Sequence, residues 1–261
     1  MQNMTQSLHP AAEKGFGVGA SLYQNVRPDY PDAITAWLKD TLGLQTHDLL
    51  LDLGAGTGKF LPYLQVISQQ IYAADPVEAM LTQLRLHHPD VHTLQAMSDQ
   101  LPIANDTVRA IFCAQSFHWF ATLDTLAELH RVLQSHGHLV LIWNQRDVSV
   151  DWVKALADEI FPLEGDTPRY HSGEWQKVFS QQNYFQQQDQ TTFRQLHHGT
   201  VEQVVSKRLL STSFIAALPE PAQQHLKQRF EHIVYDYTGK QAQDEIDFPY
   251  TTYVYVFKKN D

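Results

Sequence analysis

The amino-acid sequence predicts an α/β protein built on a doubly wound parallel sheet with helices on both faces. The first observation is a pair of short, continuous apolar runs, LLLDLG at 49–54 and QIYAAD at 70–75. Continuous rather than alternating apolar residues are typical of strands buried on both faces, as in parallel sheets. The second observation is that such runs alternate with segments of helical periodicity, which is the pattern of βαβ units.

The other elements of the first half follow from local patterns in chain order. A helix is predicted from Asp29 to Leu42, where apolar residues share one helical face. Apolar runs predict a third strand at Val91–Met97 and a fourth at Val108–Ser116. A helix is predicted from about Thr122 to Leu133, and a fifth strand follows at His136–Asn144.

The second half has a less regular pattern, which predicts a mixture of helices and strands. The end of the chain is rich in β-branched and aromatic residues, as strands are. The predicted segments are a helix at Trp152–Ile160, a short helix at Gly173–Phe179, a weak strand at Phe185–Leu196, a helix at Val201–Ser213, a helix from after Pro219 to about Tyr235, and a strand at Pro249–Lys259.

Composition limits the possible classes of function. The chain has 261 residues, enough for one large domain, and a formal charge of −10, which disfavours nucleic-acid and anionic-membrane partners. No run approaches ~18 apolar residues and no signal-peptide core is present, so we expect a cytoplasmic protein without a membrane span. The single cysteine, Cys113, excludes an internal disulfide, and the histidines lack metal-ligand spacing, so no metal is expected.

A glycine-rich turn is the motif that carries chemical information. Asp52, Gly54, Gly56 and Gly58 lie in LLLDLGAGTGKF, directly after the first predicted strand. Glycines at this turn let a ligand approach the backbone, and the N–H groups of the helix start point toward it. The dinucleotide fingerprint would need a glycine where Lys59 stands, and the P-loop would need Gly-Lys-Ser/Thr. The pattern is instead Asp-x-Gly-x-Gly-x-Gly.

A second carboxylate lies at the distance that a nucleoside site needs. Asp75 ends the second predicted strand, 21 residues after Gly54. In a doubly wound sheet this places Asp75 beside the glycine turn at the switch point, where it can accept both hydroxyls of a ribose. The alternative interpretation is that Asp75 only caps the helix that begins near Pro76.

These motifs resemble those of a known family. LDLGAGTGKF resembles motif I, and AADPVEAM the second motif, of class I S-adenosylmethionine (SAM) dependent methyltransferases. The segments at 96–120 and 131–147 resemble the adenine-binding loop with the fourth strand, and the fifth-strand region. LYQNVRPDYP, at 22–31, resembles the N-terminal signature of a subgroup of type 11 methyltransferase-domain enzymes. The resemblance covers roughly Phe16 to Asp147.

The resemblance implies a Rossmann-like, seven-stranded mixed sheet whose last strand is antiparallel, with a helical lid inserted in the C-terminal half. Residues 1–30 would form a segment that covers the cofactor, and residues 31–150 the SAM-binding core. Residues 151–261 would supply the lid helices and the last two strands of the sheet. The implied cofactor is S-adenosyl-L-methionine.

The resemblance also implies how the parts of SAM are bound. The glycine turn and Arg27 would bind the methionine carboxylate, Asp75 the ribose, and Met80 the adenine. Arg27 as a surface arginine and Met80 as a core methionine are the alternatives. Tyr23 would face the sulfonium, whose positive charge suits an aromatic ring, as would Phe16. The implied cofactor-binding residues are Tyr23, Arg27, Gly54, Ala55, Gly56, Asp75, Pro76, Met80, Ser98, Asp99 and Gln115.

The implied reaction is transfer of the methyl group to a small-molecule acceptor by in-line displacement. The protein would mainly align the reactants, and His118 is the candidate general base. The competing interpretation of His118 is a histidine that is hydrogen-bonded for structural reasons beside Trp119. Two other functions remain as hypotheses, a non-catalytic SAM-binding protein and an NAD-dependent oxidoreductase. The sequence leaves the acceptor and the oligomeric state open.

Overall fold

One seven-stranded sheet organises the computed structural model, which describes residues 26–261 of the chain. The strands are β1 (Leu49–Leu53), β2 (Gln70–Asp75), β3 (His92–Gln95), β4 (Val108–Ala114), β5 (Leu133–Arg146), β6 (Phe185–Thr200) and β7 (Glu245–Lys259). The α-helices are α1 (Ala33–Leu42), α2 (Leu61–Gln65), α3 (Glu78–His87), α4 (Leu123–Val132), α5 (Asp151–Ile160), α6 (Arg208–Leu210), α7 (Ser213–Ala216) and α8 (Glu220–Thr238). Short 3₁₀ segments occupy Phe117–Trp119, Phe161–Leu163 and Glu174–Gln181, and a π-helix occupies Val201–Lys207.

The strand order confirms the predicted fold class. The order is β3-β2-β1-β4-β5-β7-β6. Strands β1 to β5 pair in parallel, whereas β7 runs antiparallel to both β5 and β6. The chain moves outward in one direction from β1 to β3 and in the other from β4 onward. The carboxyl ends of β1 and β4 therefore flank the switch point of the sheet, where open α/β sheets bind their ligands.

The continuous apolar character of β1 follows from burial on both faces of the sheet. Leu50 packs in the cluster that includes Ile34 and Leu38 of α1. Its neighbour Leu51 packs in the opposite cluster, which includes Leu126 of α4. Since successive strand residues point to opposite faces, both faces need apolar residues. The doubly wound arrangement therefore follows directly from the LLLDL run.

The helical insertion of the C-terminal half has an apolar core of its own. Trp152 of α5 and Phe230 of α8 pack with Phe248 of β7 in this third cluster. The chain enters it through a capping box at the start of the π-helix, where the Thr200 hydroxyl accepts from the Gln203 N–H. The insertion therefore packs against the first part of β7.

Two boundaries in the first half differ from the prediction for local reasons. Helix α1 begins at Ala33 rather than Asp29, because prolines at 28 and 31 disfavour helical backbone in the residues before them. Strand β4 ends at Ala114 rather than Ser116, because Gln115 adopts a φ of 63° that leaves the strand conformation. This turn directs the chain across the carboxyl end of β1.

The observed ends of other elements differ from the predicted ends where the pattern of side chains carries little information. The predicted third strand shortens to β3, whereas β5 begins at Leu133 directly after α4 instead of at His136. The helix predicted at Val201–Ser213 is instead the π-helix followed by α6 and α7. Strand β6 extends four residues beyond the predicted Leu196, to Thr200. Within residues 26–261, no helix combines the length and apolar content needed to cross a membrane.

Candidate active site

A cleft opens at the switch point of the sheet, beside the carboxyl ends of β1, β2 and β4. It encloses about 970 Å³ of empty space, part of which is open to solvent. Eight of the residues predicted to bind cofactor line it, namely Arg27, Gly54, Ala55, Gly56, Asp75, Pro76, Met80 and Gln115. Residues from the segment before α1, the glycine turn and the end of β4 thus meet at one site.

The glycine turn is shaped by close packing. Gly54 has a φ of 69°, and a Cβ there would lie 2.5 Å from Ser116 Cβ. The Gly54 N–H donates to the Ala74 carbonyl at 2.8 Å, and the Gly56 N–H donates to Asp75 Oδ2 at 2.9 Å. These two N–H groups, predicted to bind the carboxylate of SAM, are therefore engaged within the protein. What the turn offers a ligand is close approach to bare backbone.

Asp75 points toward the glycine turn, and its carboxylate also accepts a hydrogen bond at the start of α3. Oδ2 accepts from the Gly56 N–H at 2.9 Å, and Oδ1 accepts from the Val77 N–H at 2.8 Å at the start of α3. Burial raises the pKa of Asp75 to about 6, although these two N–H groups lower it. Each carboxylate oxygen has two lone pairs. One acceptor site per oxygen therefore remains for the hydroxyls of a ribose.

Asp52 is a candidate site residue that the sequence reasoning did not assign. It lines the cleft with a side chain that is 1% exposed, and neither carboxylate oxygen has a hydrogen-bond partner. Burial, followed by the charge of Asp75, raises the pKa of Asp52 to about 8. An unpartnered buried carboxyl group is costly, so the site suits a ligand that brings a cation or a donor. The one signal in the sequence was an acid inside the apolar run LLLDL.

Arg27, Met80 and Gln115 also line the cleft. Arg27 Nη2 donates to the Ser211 carbonyl at 2.8 Å, which ties the segment before α1 to the C-terminal half. Met80 is 3% exposed and presents an apolar wall. The side chain of Gln115 donates to the Asn144 carbonyl at 3.2 Å. The strained backbone of Gln115 thus joins the ends of β4 and β5 beneath the cleft.

Two other predicted residues, Ser98 and Asp99, lie away from the cleft wall. Ser98 is buried, and its hydroxyl lies 2.8 Å from the hydroxyl of Thr125 in α4. Neither Ser98 nor Asp99 is among the described residues that line the cleft. This contact favours a structural role for Ser98, because its hydroxyl is already bonded to a neighbouring helix inside the protein. Tyr23, like Phe16, lies outside the residues that the structure describes.

His118 is held as a neutral acceptor instead of a free base. Trp143 Nε1 donates to His118 Nδ1 at 3.0 Å, so Nδ1 carries no proton and the neutral ring has its proton on Nε2. Burial, together with the charges of Arg169 and Arg27, lowers the pKa of His118 to about 3. This bond favours the structural interpretation of His118. Its partner is Trp143 of β5, and the ring of Trp119 packs beside it at 5.2 Å.

A second cavity adjoins the cleft on the side of β5 and β7. The two share a boundary, since Arg27, Gln115, Trp119, Asn144 and Arg208 line both. His118 lines the second cavity and is not part of the cleft wall that the structure describes. Among residues 26–261, no group of three or more His, Cys, Asp or Glu side chains could hold a metal ion.

A Rossmann-like sheet with a carboxylate at the end of β2 beside a glycine turn is typical of α/β proteins that bind nucleosides. A family model for the methyltransferase domain matches residues 51–141 of the chain. A protein of Schizosaccharomyces pombe named as an uncharacterized methyltransferase-like protein is 31% identical over 247 residues, which are 94% of this chain and 96% of that protein. The chain belongs to the class I SAM-dependent methyltransferases, and its cofactor is SAM.

Two further comparisons extend the relationship. An uncharacterized methyltransferase of Mycobacterium tuberculosis is 35% identical over 154 residues, covering 59% of this chain and 61% of that protein. The solved structure of a type II methyltransferase candidate from Anaeromyxobacter dehalogenans has a TM-score of 0.67 and 20% identity, over 89% of this chain and 97% of that one. That likeness confirms the fold.

Proposed function

We propose that this methyltransferase transfers the methyl group of SAM to a small-molecule acceptor by in-line displacement. The observation that carries the proposal is the second cavity, which meets the cleft at Gln115 and Trp119. A small acceptor in the second cavity would face a cofactor in the cleft across this boundary. The protein therefore has adjoining sites for a donor and an acceptor.

The cleft residues fit the parts of SAM. Asp75 would accept the ribose hydroxyls through its two remaining acceptor sites, and Met80 would pack on the adenine. Asp52 would take the ammonium of the methionine part, directly or through water, which would give its buried carboxylate a partner. Arg27, which also lines the cleft, would bind the methionine carboxylate. Tyr23 stays a prediction, as do Ser98 and Asp99 at the adenine edge.

The cofactor supplies an activated methyl group on a positively charged sulfur. The acceptor's lone pair forms the new bond to the methyl carbon while the carbon–sulfur bond breaks, and that electron pair passes to sulfur to give a neutral thioether. A proton on the acceptor atom, where one is present, leaves to solvent. Holding the two reactants in line supplies ~7–11 kcal/mol of the barrier reduction in well-oriented reactions. The protein needs only to position the two reactants, remove their water and exclude solvent, which rigid cavity walls can do.

The two adjoining cavities suggest a separate role for each of three parts of the chain. We propose that residues 31–150 form the SAM-binding core and that residues 151–261 complete the sheet and wall the acceptor cavity through Arg169, Arg208 and Tyr250. Residues 1–30 would cover the cofactor, and Arg27, Pro28 and Tyr30 of this segment line the cleft. The cytoplasmic location stays a prediction.

Transfer of a labelled methyl group from SAM to a metabolite extract tests the proposal. We expect label in a small-molecule fraction, with loss of transfer when Asp75→Asn weakens cofactor binding. If the protein binds S-adenosylhomocysteine (SAH) tightly but labels nothing in the extract, the non-catalytic binding function replaces the proposed one.

A structure of a Haemonchus contortus phosphoethanolamine methyltransferase with the same type of fold contains SAH and phosphomonomethylethanolamine, with a TM-score of 0.56 and 12% identity over 98% of this chain and 61% of that one.

A further inference from the structure

The second cavity is lined by four guanidinium groups in a protein whose formal charge is −10. They belong to Arg27, Arg146, Arg169 and Arg208. Among the described residues that line this cavity, none is an aspartate or a glutamate. Positive charge is thus concentrated in this cavity although the net charge of the protein is negative. Such concentration is typical of a site that binds an anion.

Separate elements bring these arginines together. Arg146 ends β5 and is paired in register with Tyr250 of β7. Arg208 begins α6, directly after the π-helix. Arg169 lies in the loop before the 3₁₀ segment that starts at Glu174. The antiparallel pairing of β5 and β7 therefore places Arg146 and Tyr250 side by side at the cavity wall.

Two side chains that line this cavity, Tyr250 and Arg208, carry buried donors without acceptors. The Tyr250 hydroxyl has no hydrogen-bond partner although the residue is 1% exposed, and Nε and Nη1 of Arg208 are buried without partners. Arg169 is partly compensated, since its Nε lies 3.7 Å from Glu164 Oε1. Burial lowers the pKa of Arg146 to about 10, and the neighbouring Arg208 and Arg169 contribute, yet the group stays charged near neutral pH. Buried donors without acceptors are costly unless a ligand supplies them.

We propose that the methyl acceptor is an anionic small molecule whose carboxylate or phosphate group is bound by Arg146, Arg208 and Tyr250. This inference rests on the proposed function, because it assigns the acceptor to the second cavity. Arg208 lines both cavities, so the anion lies close to the boundary that the transferred methyl crosses. The rings of Trp119, Trp143 and Tyr170 line the same cavity and give the rest of the acceptor an apolar wall. Arginine suits this role because its planar fork matches both kinds of oxyanion.

Direct binding tests the anion site without knowledge of the natural acceptor. The SAH-saturated protein is titrated with phenylacetate, phenyl phosphate and the neutral phenylacetamide, while tryptophan fluorescence is followed. We expect at least one anion to bind and the amide to bind at least tenfold more weakly. The two anions distinguish a carboxylate site from a phosphate site. Equal binding of anions and amide, or no binding of either anion at millimolar concentration, overturns the inference.

Variants at Arg146 separate this inference from the proposed function. Arg146 lines the second cavity and is not among the described residues of the cleft wall. We therefore expect Arg146→Gln to weaken anion binding by about 10- to 100-fold, with SAH affinity within about threefold of wild type. The matched control is Arg229→Gln, because Arg229 is exposed on α8 and paired with Glu159. Arg146→Gln binding the anions as wild type does would overturn the site, whereas failure of SAH to bind would overturn the proposed function.

A stability measurement distinguishes an anion site from a merely structural arginine. In the ligand-free protein, burial disfavours the charge of Arg146, and Arg208 and Arg169 repel it, while Glu164 offsets part of this effect. We therefore expect Arg146→Gln to raise Tm in the absence of anions and to lose the Tm increase that phenyl phosphate or phenylacetate gives wild type. A lower Tm of the variant with an unchanged anion effect would show a structural role and contradict the inference.

The natural acceptor can then be identified by fractionating metabolites according to their charge. A metabolite extract is separated by anion exchange before reaction, and each fraction is offered with labelled SAM. We expect transfer into the retained fraction, with KM raised by at least tenfold in Arg146→Gln and unchanged in Arg229→Gln. Transfer confined to the unretained fraction overturns the inference and leaves the methyltransferase function intact.

Discussion

At the scale of single residues, the site depends on groups whose environment is unfavourable without a ligand. Asp52 is buried with both carboxylate oxygens unpartnered, and the Tyr250 hydroxyl is likewise buried without a partner. Gly54 accepts a left-handed backbone and leaves no room for a side chain. Such features reduce the stability of the ligand-free protein, and they are expected where binding rather than folding has determined the residue.

Alanine substitutions at Gly54 and Gly56 distinguish the cost of a strained backbone from the cost of a steric clash. Both have positive φ values, 69° and 56°, but a Cβ at Gly56 would have no protein atom within 4 Å. Gly56→Ala is therefore expected to cost about 1–2 kcal/mol of unfolding free energy. Gly54→Ala is expected to cost about 1–3 kcal/mol more, because its Cβ would meet Ser116. Equal losses for the two variants in urea denaturation would contradict the packing described for this turn.

Asp52 makes the stability of the ligand-free protein depend on pH. Its pKa is raised from 3.8 to about 8, so the folded state keeps a proton that the unfolded state has lost. The free energy of unfolding should therefore fall as pH rises from about 4 to 8. Asp75, whose pKa is raised to about 6, adds to this fall mainly below that pH, so the contribution of Asp52 is measured between pH 6 and pH 8. There Asp52→Asn should remove up to about 1.4 kcal/mol of the fall per pH unit. Urea denaturation at pH 6 and pH 8 measures it, with the exposed Asp90→Asn as control, and parallel pH profiles for the two variants would refute it.

His118 tests whether the reaction needs a protein base. Glutamine at this position can still accept the hydrogen bond from Trp143 Nε1. We expect His118→Gln to reduce kcat less than tenfold and to leave the pH profile of kcat unchanged. A general base would instead contribute about 10²–10⁴-fold. A loss in that range, accompanied by disappearance of a titration step, would restore His118 as the catalytic residue.

At the scale of elements, the end of β5 joins the parts of the site. Asn144 Nδ2 donates to the Asp29 carbonyl at 3.0 Å, and Asn144 Oδ1 accepts from the Thr252 hydroxyl of β7 at 2.6 Å. The Asn144 carbonyl accepts from Gln115 at the end of β4. One asparagine therefore positions the segment before α1, the turn after β4 and the antiparallel strand.

Removal of the β5–β7 side-chain bond should affect both folding and cofactor binding. Thr252→Val keeps the side-chain volume but leaves the buried Asn144 Oδ1 without its donor. We expect a loss of about 1–3 kcal/mol of unfolding free energy. Weaker SAH binding should accompany it, since Asn144 lines the cleft. Thr192→Val on the exposed edge strand β6 is the control, and similar behaviour of the two variants would contradict the role given to Asn144.

For the molecule as a whole, the sequence predicted those features that follow from local patterns and short spacings along the chain. The LLLDL run predicted a strand buried on both faces, and the spacing of Asp75 from Gly54 predicted their approach, which the Gly56–Asp75 hydrogen bond confirms. The arginine cavity was not predictable in this way. Arg27, Arg146 and Arg208 lie far apart in the sequence and meet only through β5–β7 pairing and the helical insertion. Periodicity also carries no signal for the π-helix or for the positive φ of Gln115.

We propose that SAM binds at the switch point of the sheet against Asp75, and calorimetric titration with SAH measures this binding. We expect wild type to bind one SAH per chain, Asp75→Ala to bind it at least about 100-fold more weakly, and the exposed Asp124→Asn to bind as wild type does. Wild-type protein that does not bind SAH, or Asp75→Ala that binds it with undiminished affinity, would show that the site has been misplaced.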